Sequence, residues 1–148
     1  MSLPDSRILD LFSGSGAIGL EALSRGAQEV VFVEENTKAV KLILDNAKSL
    51  GLTAQVKVLP RKVELVLPFL SKEPPFDFVF IDPPYHQGYE EKILNEWPWE
   101  QLLVENARVC IESAYRKEGS YTAPAGLEIV RDERYGDSQL TFYRRTAT

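Results

Sequence analysis

Gly14-Ser15-Gly16-Ala17-Ile18-Gly19 stands between a strand-like run, residues 7–12, and a stretch of helical period, residues 17–25, that Gly26 closes. A G-x-G-x-x-G in that place makes a tight turn from strand into helix, lets the backbone approach a ligand closely, and leaves room for the helix to pack on its strand. It commits the chain to an α/β unit, and the rest of the sequence keeps the same alternation.

Residues 29–33 read as a second strand. From 37 to 50 the apolar positions Val40, Ile43, Leu44 and Ala47 form the stripe of a helix with one buried face, and Gly51 supplies its end. Residues 54–59 are expected as a third strand and 63–70 as a short amphipathic helix. Pro74-Pro75 leads into Phe76-Asp77-Phe78-Val79-Phe80-Ile81, an apolar run suited to a central parallel strand that stops at Asp82-Pro83-Pro84-Tyr85. Helical turns at 90–95 and 100–103 cross to a fifth strand, 108–112. Strands 127–134 and 140–144 are joined by Tyr135-Gly136-Asp137-Ser138, short enough to force an antiparallel hairpin. The expected architecture is α/β and Rossmann-like: a mostly parallel seven-stranded sheet with an antiparallel C-terminal hairpin strand and helices on both faces. Right-handed crossovers, with a strand order reversing after the first strand, gather the ends of strands one, two and four around one crevice.

Composition bounds the class. The chain has 148 residues, 44% hydrophobic and 26% charged, as expected for one soluble domain spanning 1–148 with a complete core. Cys110 is the only cysteine and His86 the only histidine, so neither a disulfide nor a metal site is expected. No apolar run approaches the ~20 residues that span a bilayer, and the reading is of a cytoplasmic monomer without a membrane. The formal charge of −5 argues against nucleic-acid binding driven by bulk charge and leaves room for a local basic groove around Arg61, Lys62, Arg116 and Lys117. The chain starts only a few residues before its first strand, so an N-terminal recognition element is expected to lie outside it, with Met1-Ser2-Leu3 read as a cloning remnant.

Glu34 follows Gly14 by twenty residues at the end of the second strand, where its carboxylate is placed to accept both hydroxyl protons of a ribose. The pattern fits an adenosine-bearing cofactor. Asp10, four residues before Gly14, is a poor neighbour for a pyrophosphate and a good one for an amino group, which favours S-adenosylmethionine over a dinucleotide. Asp82-Pro83-Pro84-Tyr85 places a carboxylate, a proline-restrained carbonyl and an aromatic ring at a strand mouth. Two acceptors there can each take one N–H of an exocyclic amine and turn its lone pair toward a methyl donor, while Tyr85 offers a face for an unstacked base. The motif senses only an amine on a ring, so guanine N2 and adenine N6 both suit it. A nicotinamide-dependent dehydrogenase shares the glycine pattern but lacks an acid–base pair here, and a non-catalytic RNA- or nucleoside-binding module uses the same crevice. Buried packing is the simpler role for Cys110, and loop exposure for His86. Trp97-Pro98-Trp99 suits either an aromatic lid or helix packing.

Taken together, residues 10–22, Asp82-Pro83-Pro84-Tyr85 and the end Tyr135-Gly136-Asp137-Ser138-Gln139-Leu140-Thr141-Phe142-Tyr143 resemble the amino-methyltransferases, and among them the bacterial 16S ribosomal RNA guanine-N2 methyltransferase family of the RsmD type. The resemblance implies the S-adenosylmethionine-dependent methyltransferase fold, methylation of one guanine, and 16S ribosomal RNA or the small ribosomal subunit as partner. It implies that Asp10, Phe12, Ser13, Gly14, Ser15 and Gly16 hold the methionine end and Glu34 the ribose, with Asp82, Pro83, Pro84 and Tyr85 at the guanine. Family members usually carry an acidic or amide residue after the third strand for the adenine amino group. Here Pro60-Arg61-Lys62 stands there, making Arg61 the cofactor candidate of that corner.

Overall fold

The computed structural model describes residues 3–146. Its strands are β1 (Arg7–Leu11), β2 (Glu29–Val33), β3 (Val56–Leu59), β4 (Phe76–Ile81), β5 (Leu103–Ala114), β6 (Leu127–Tyr135) and β7 (Ser138–Arg145). The helices are α1 (Ala17–Ser24), α2 (Thr37–Ser49), α3 (Leu67–Leu70), α4 (Tyr89–Glu96) and α5 (Trp99–Leu102). One sheet runs in the order β3-β2-β1-β4-β5-β7-β6. Strands β1 to β5 pair in parallel, while β7 pairs antiparallel with both β5 and β6. The direction of strand addition reverses between β1 and β4, which opens a crevice above their C-terminal ends.

Alternation of side chains divides the core in two. Leu9, Leu11, Val31, Val33, Val79 and Ile81 face α3, α4 and α5, and Trp97 and Trp99 complete that layer. Ile8, Val30 and Phe32 face α1 and α2 through Leu20, Leu23, Ile43 and Ala47. The Trp97 and Trp99 rings lie 5.8 Å apart, and Trp99 Nε1 donates to the Leu94 carbonyl at 3.0 Å, so the pair packs the crossover rather than forming a lid. Cys110 is buried mid-strand and its thiol is pushed up to about 12 by burial, which leaves it unreactive.

Both long crossover helices end as glycine caps require. Leu52 N–H donates to the Ala47 carbonyl and Gly51 N–H to that of Lys48, the paired bonds of a Schellman motif, and Asn36 Oδ1 accepts from Ala39 N–H at the start of α2. Of the α2 stripe, Ile43 and Ala47 are buried while Leu44 stays 47% exposed, because α2 leans on β2 by one narrow edge.

Three local boundaries differ from expectation. Residues 63–70 form a 3-10 turn, Val63–Leu65, followed by the single turn α3, since Pro68 has no N–H to carry one helix through. Thr53–Gln55 is also a 3-10 turn, so β3 starts at Val56. Strand β5 begins at Leu103, well before Arg108, because an irregularity around the left-handed Asn106 (φ 63°) lets it regain register with β4. Of the expected remnant, Met1 and Ser2 lie outside the described residues, and Leu3 packs against the α1–α2 layer. Among the described residues no helix is long and apolar enough to cross a membrane.

Candidate active site

A cavity of about 350 Å³ lies at the reversal of strand order, within the range of small-ligand sites. The β1 side contributes Phe12 and Gly14, β2 contributes Glu34, the segment after β3 contributes Arg61, and the end of β4 contributes Asp82, Pro83 and Pro84. These seven sequence candidates meet in one place. Val33, Glu35, Val63 and Glu64 line it as well.

The loop after β1 is built by unusual backbone. Phe12, Gly14 and Gly16 all have left-handed φ (59°, 55° and 78°). For Phe12 this costs about 1–3 kcal/mol, the kind of strain that persists at functional sites, and its ring sits edge-on to Tyr89 with centroids 5.0 Å apart. A side chain at Gly14 would meet no atom within 4 Å, because that backbone faces open cavity. At Gly19 a Cβ would lie 2.4 Å from Phe32 Cε1 and 2.8 Å from Val30 Cγ1, so this last glycine sets the close approach of α1 to the sheet. Ser13 is used internally: its N–H donates to the Val33 carbonyl, and its hydroxyl reaches the Asp10 carbonyl at 2.5 Å. Ser15 is exposed on the turn and Gly16 is buried beneath it.

Glu34 fastens this loop to β2. One carboxylate oxygen accepts Gly14 N–H at 2.7 Å and the other accepts Asn36 N–H at 3.0 Å. Each oxygen keeps a lone pair for a further donor. Asp10 lies under the loop, 2% exposed, with Oδ2 lacking any hydrogen-bond partner. Burial pushes its carboxyl up to about 8, the Gly19 amide pulls the other way, and the Asp82 and Glu34 charges add to the rise. An acid raised in the folded state binds more protons there than in the unfolded chain, so its effect on stability worsens as pH climbs from about 4 to about 8. Asp10→Asn removes that slope. In melts across pH, the variant is expected to exceed the parent most at pH 9 and to converge on it near pH 4; a constant difference would contradict the burial of an ionising Asp10.

On the opposite wall Asp82 is half-buried and Pro83 buried. Burial, together with the carboxyl of Glu112 on β5, pushes Asp82 up to about 7. Glu112 was not singled out in sequence. Its only signal is that the strand expected from sequence ends there, and its position becomes meaningful once β5 is known to lie beside β4. Tyr85 does not line the cavity; it stands beside it, 39% exposed, with its hydroxyl 2.8 Å from Ser138 Oγ of the C-terminal hairpin. The guanidinium of Arg61 is 3.8 Å from the Phe69 ring centroid and is held there at the cavity rim. Glu64, three residues further on, supplies an acid after β3 that local spacing hides, and it lines a neighbouring cavity together with Tyr89. Among the described residues no group of three or more His, Cys, Asp or Glu side chains is arranged to hold a metal ion.

Comparison with known proteins places these features in a family. The family model described as "Conserved hypothetical protein 95" matches residues 1–144. Ribosomal RNA small subunit methyltransferase D of Escherichia coli (strain K12) is 31% identical over 144 residues, covering 97% of this chain and 70% of its own. YlbH of Bacillus subtilis (strain 168) is 34% identical over 140 residues, covering 94% and 76%. The solved structure of yhhF of Escherichia coli superposes with a TM-score of 0.85 at 30% identity, over 99% of this chain and 78% of that one. The chain belongs to the Conserved hypothetical protein 95 family, that of the RsmD-type methyltransferases.

Proposed function

We propose that the chain is one catalytic domain that methylates the exocyclic N2 amine of a guanine in 16S ribosomal RNA with S-adenosylmethionine. The observation that carries this reading is the meeting, in one cavity, of the Gly14–Glu34 cradle with the Asp82 carboxyl and the Pro83–Pro84 turn. The naming of relatives as ribosomal RNA methyltransferases supports the substrate class.

The residues fit this cofactor. Asp10 Oδ2, buried and unpartnered, suits an ammonium group directly or through a water. Glu34 retains lone pairs for ribose hydroxyls, Val33 and Val63 offer apolar walls for adenine, and Glu64 is the acceptor for its amino group. Asp10, Glu34, Glu35, Glu64 and Asp82 crowd the site with carboxyls against the single guanidinium of Arg61, which disfavours a pyrophosphate and hence a dinucleotide. S-adenosylmethionine supplies, when bound, a methyl group on a positively charged sulfur.

The chain's own contribution is alignment. Asp82 and the Pro83 carbonyl each accept one N–H of the target amine, withdraw it from conjugation and point its lone pair across the cavity. Asp82, with its pKa near neutrality, then takes the proton that the methylated nitrogen sheds. Pro84 holds the turn, and Tyr85 stacks on the extruded base.

Titration calorimetry with S-adenosylhomocysteine and, separately, NAD is expected to show micromolar binding of the first alone. Radiolabelled methyl from the cofactor is expected to enter small-subunit RNA taken from a strain lacking its own family member. Binding of NAD alone, or no label in naked RNA or subunits, would overturn the reading. Tyr85→Ala is expected to lower kcat/KM on RNA by about 5- to 100-fold, the worth of one stacked base, whereas Tyr85→Phe keeps the ring and stays within about threefold. Equal loss in both variants would shift the role of Tyr85 to its Ser138 contact.

A further inference from the structure

Glu112 stands one residue past the last β4–β5 pair, on the part of β5 that continues beyond the end of β4 and pairs only with β7. Ile81 and Ile111 pair in the parallel β4–β5 ladder, so the next residues, Asp82 and Glu112, are neighbours just beyond it, close enough for the Glu112 carboxyl to help push Asp82 up. Glu112 is half-buried, and its charge also reaches Cys110, two residues back. Among the described residues neither carboxyl has a basic partner within ion-pair distance. Two adjacent acids without a cation repel one another. A ligand that presents two neighbouring N–H donors relieves that repulsion.

The bases differ in this respect. Beside the N6 amine of adenine lie N1 and N7, both acceptors. Beside the N4 amine of cytosine lie the acceptor N3 and a C–H. Only guanine sets a ring donor, N1–H, next to its exocyclic amine. A carboxylate beside the amine-holding Asp82 therefore matches guanine, and faces a lone pair in adenine.

We propose that Glu112 determines base specificity, its carboxylate accepting guanine N1–H while Asp82 and Pro83 hold the N2 amine. This rests on the guanine-N2 reading above. It adds the residue that excludes adenine from a motif blind to the rest of the ring.

The test replaces the methylated guanine, once mapped, by 2-aminopurine in 16S ribosomal RNA ligated from two pieces. That base keeps the 2-amine and has a bare acceptor at N1. For the parent chain, kcat/KM is expected to fall about 10- to 100-fold from guanine to 2-aminopurine, the worth of a hydrogen bond to a charged group. Glu112→Ala is expected to lose activity on guanine and to bring the two substrates within about threefold of each other. Glu112→Gln, whose amide can turn to donate, is expected to gain on 2-aminopurine relative to the parent. Calorimetry with S-adenosylhomocysteine shows whether each variant keeps its fold and cofactor site. A parent indifferent to the substitution, or a folded Glu112→Ala or Glu112→Gln that keeps the full guanine preference, would overturn the proposal. A parent that methylates no guanine would instead overturn the reading beneath it.

Discussion

Asp82→Ala is expected to lower turnover on ribosomal RNA by about a thousandfold or more while leaving S-adenosylhomocysteine affinity within about threefold. The asymmetry follows from placement. Asp82 lines the cavity on the wall proposed for the substrate, across from the Gly14 and Glu34 cradle proposed for the cofactor. Alanine there removes both an aligned acceptor and the proton acceptor, each worth about 10²–10³. The same carboxyl sets the pH dependence. A group raised to about 7 is protonated below that pH and cannot take the proton that the methylated nitrogen sheds, so kcat/KM of the parent should rise through pH 7 and level off above it. Removing the Glu112 charge takes away part of the cause, and the inflection of Glu112→Gln should move to lower pH. Single-turnover rates across pH 5–9 read both effects; a flat parent profile, or undiminished turnover in Asp82→Ala, would contradict the role given to Asp82.

Gly19→Val is expected to be the most damaging change outside the catalytic wall. The added Cβ alone would fall 2.4 Å from the ring of Phe32, which is fully buried, and 2.8 Å from Val30. Neither neighbour can retreat, because both belong to β2, which is fully buried from Val30 to Val33 and paired on both sides with β1 and β3. Either α1 lifts or the sheet bends, at a cost of about 1–3 kcal/mol or more, which lowers Tm by roughly 3–10 °C. The loop carrying Gly14 moves with α1, so cofactor affinity falls too. Gly14→Ala is the contrasting case. Its Cβ meets nothing, but the left-handed φ costs about 1–2 kcal/mol and the methyl enters the cavity. It should lose affinity out of proportion to stability. Chemical denaturation and calorimetry on the two variants separate the effects; equal Tm losses would remove the distinction between a packing glycine and a cavity glycine.

The parts of the fold that were legible in sequence are those where one physical demand acts alone. Val30 to Val33 are wholly buried, as an unbroken apolar run between two helix layers must be, and the glycine loop lies where the turn from β1 to α1 needs it. Boundaries failed where a single residue overrode a pattern. Pro68 splits an amphipathic stretch that periodicity alone reads as continuous, and the left-handed Asn106 lets β5 start five residues early. In the site, Phe12, Gly14, Glu34 and Asp82 were visible because each sits in a motif at a strand end. Glu64 and Glu112 were not, because each acquires its neighbours only through sheet order and the fold of the segment after β3. Tyr85 was recognised as an aromatic face, while its link to Ser138 joins positions 53 residues apart and has no local signature.

The reaction itself is tested most directly by its product. The chain is incubated with S-adenosylmethionine and with small-subunit RNA or subunits that lack the modification, the RNA is digested to nucleosides, and the methylated nucleoside is identified by mass spectrometry. N2-methylguanosine, formed by the parent and absent with Asp82→Ala, is the expected result. N6-methyladenosine, or N2-methylguanosine formed equally well without Asp82, would contradict it.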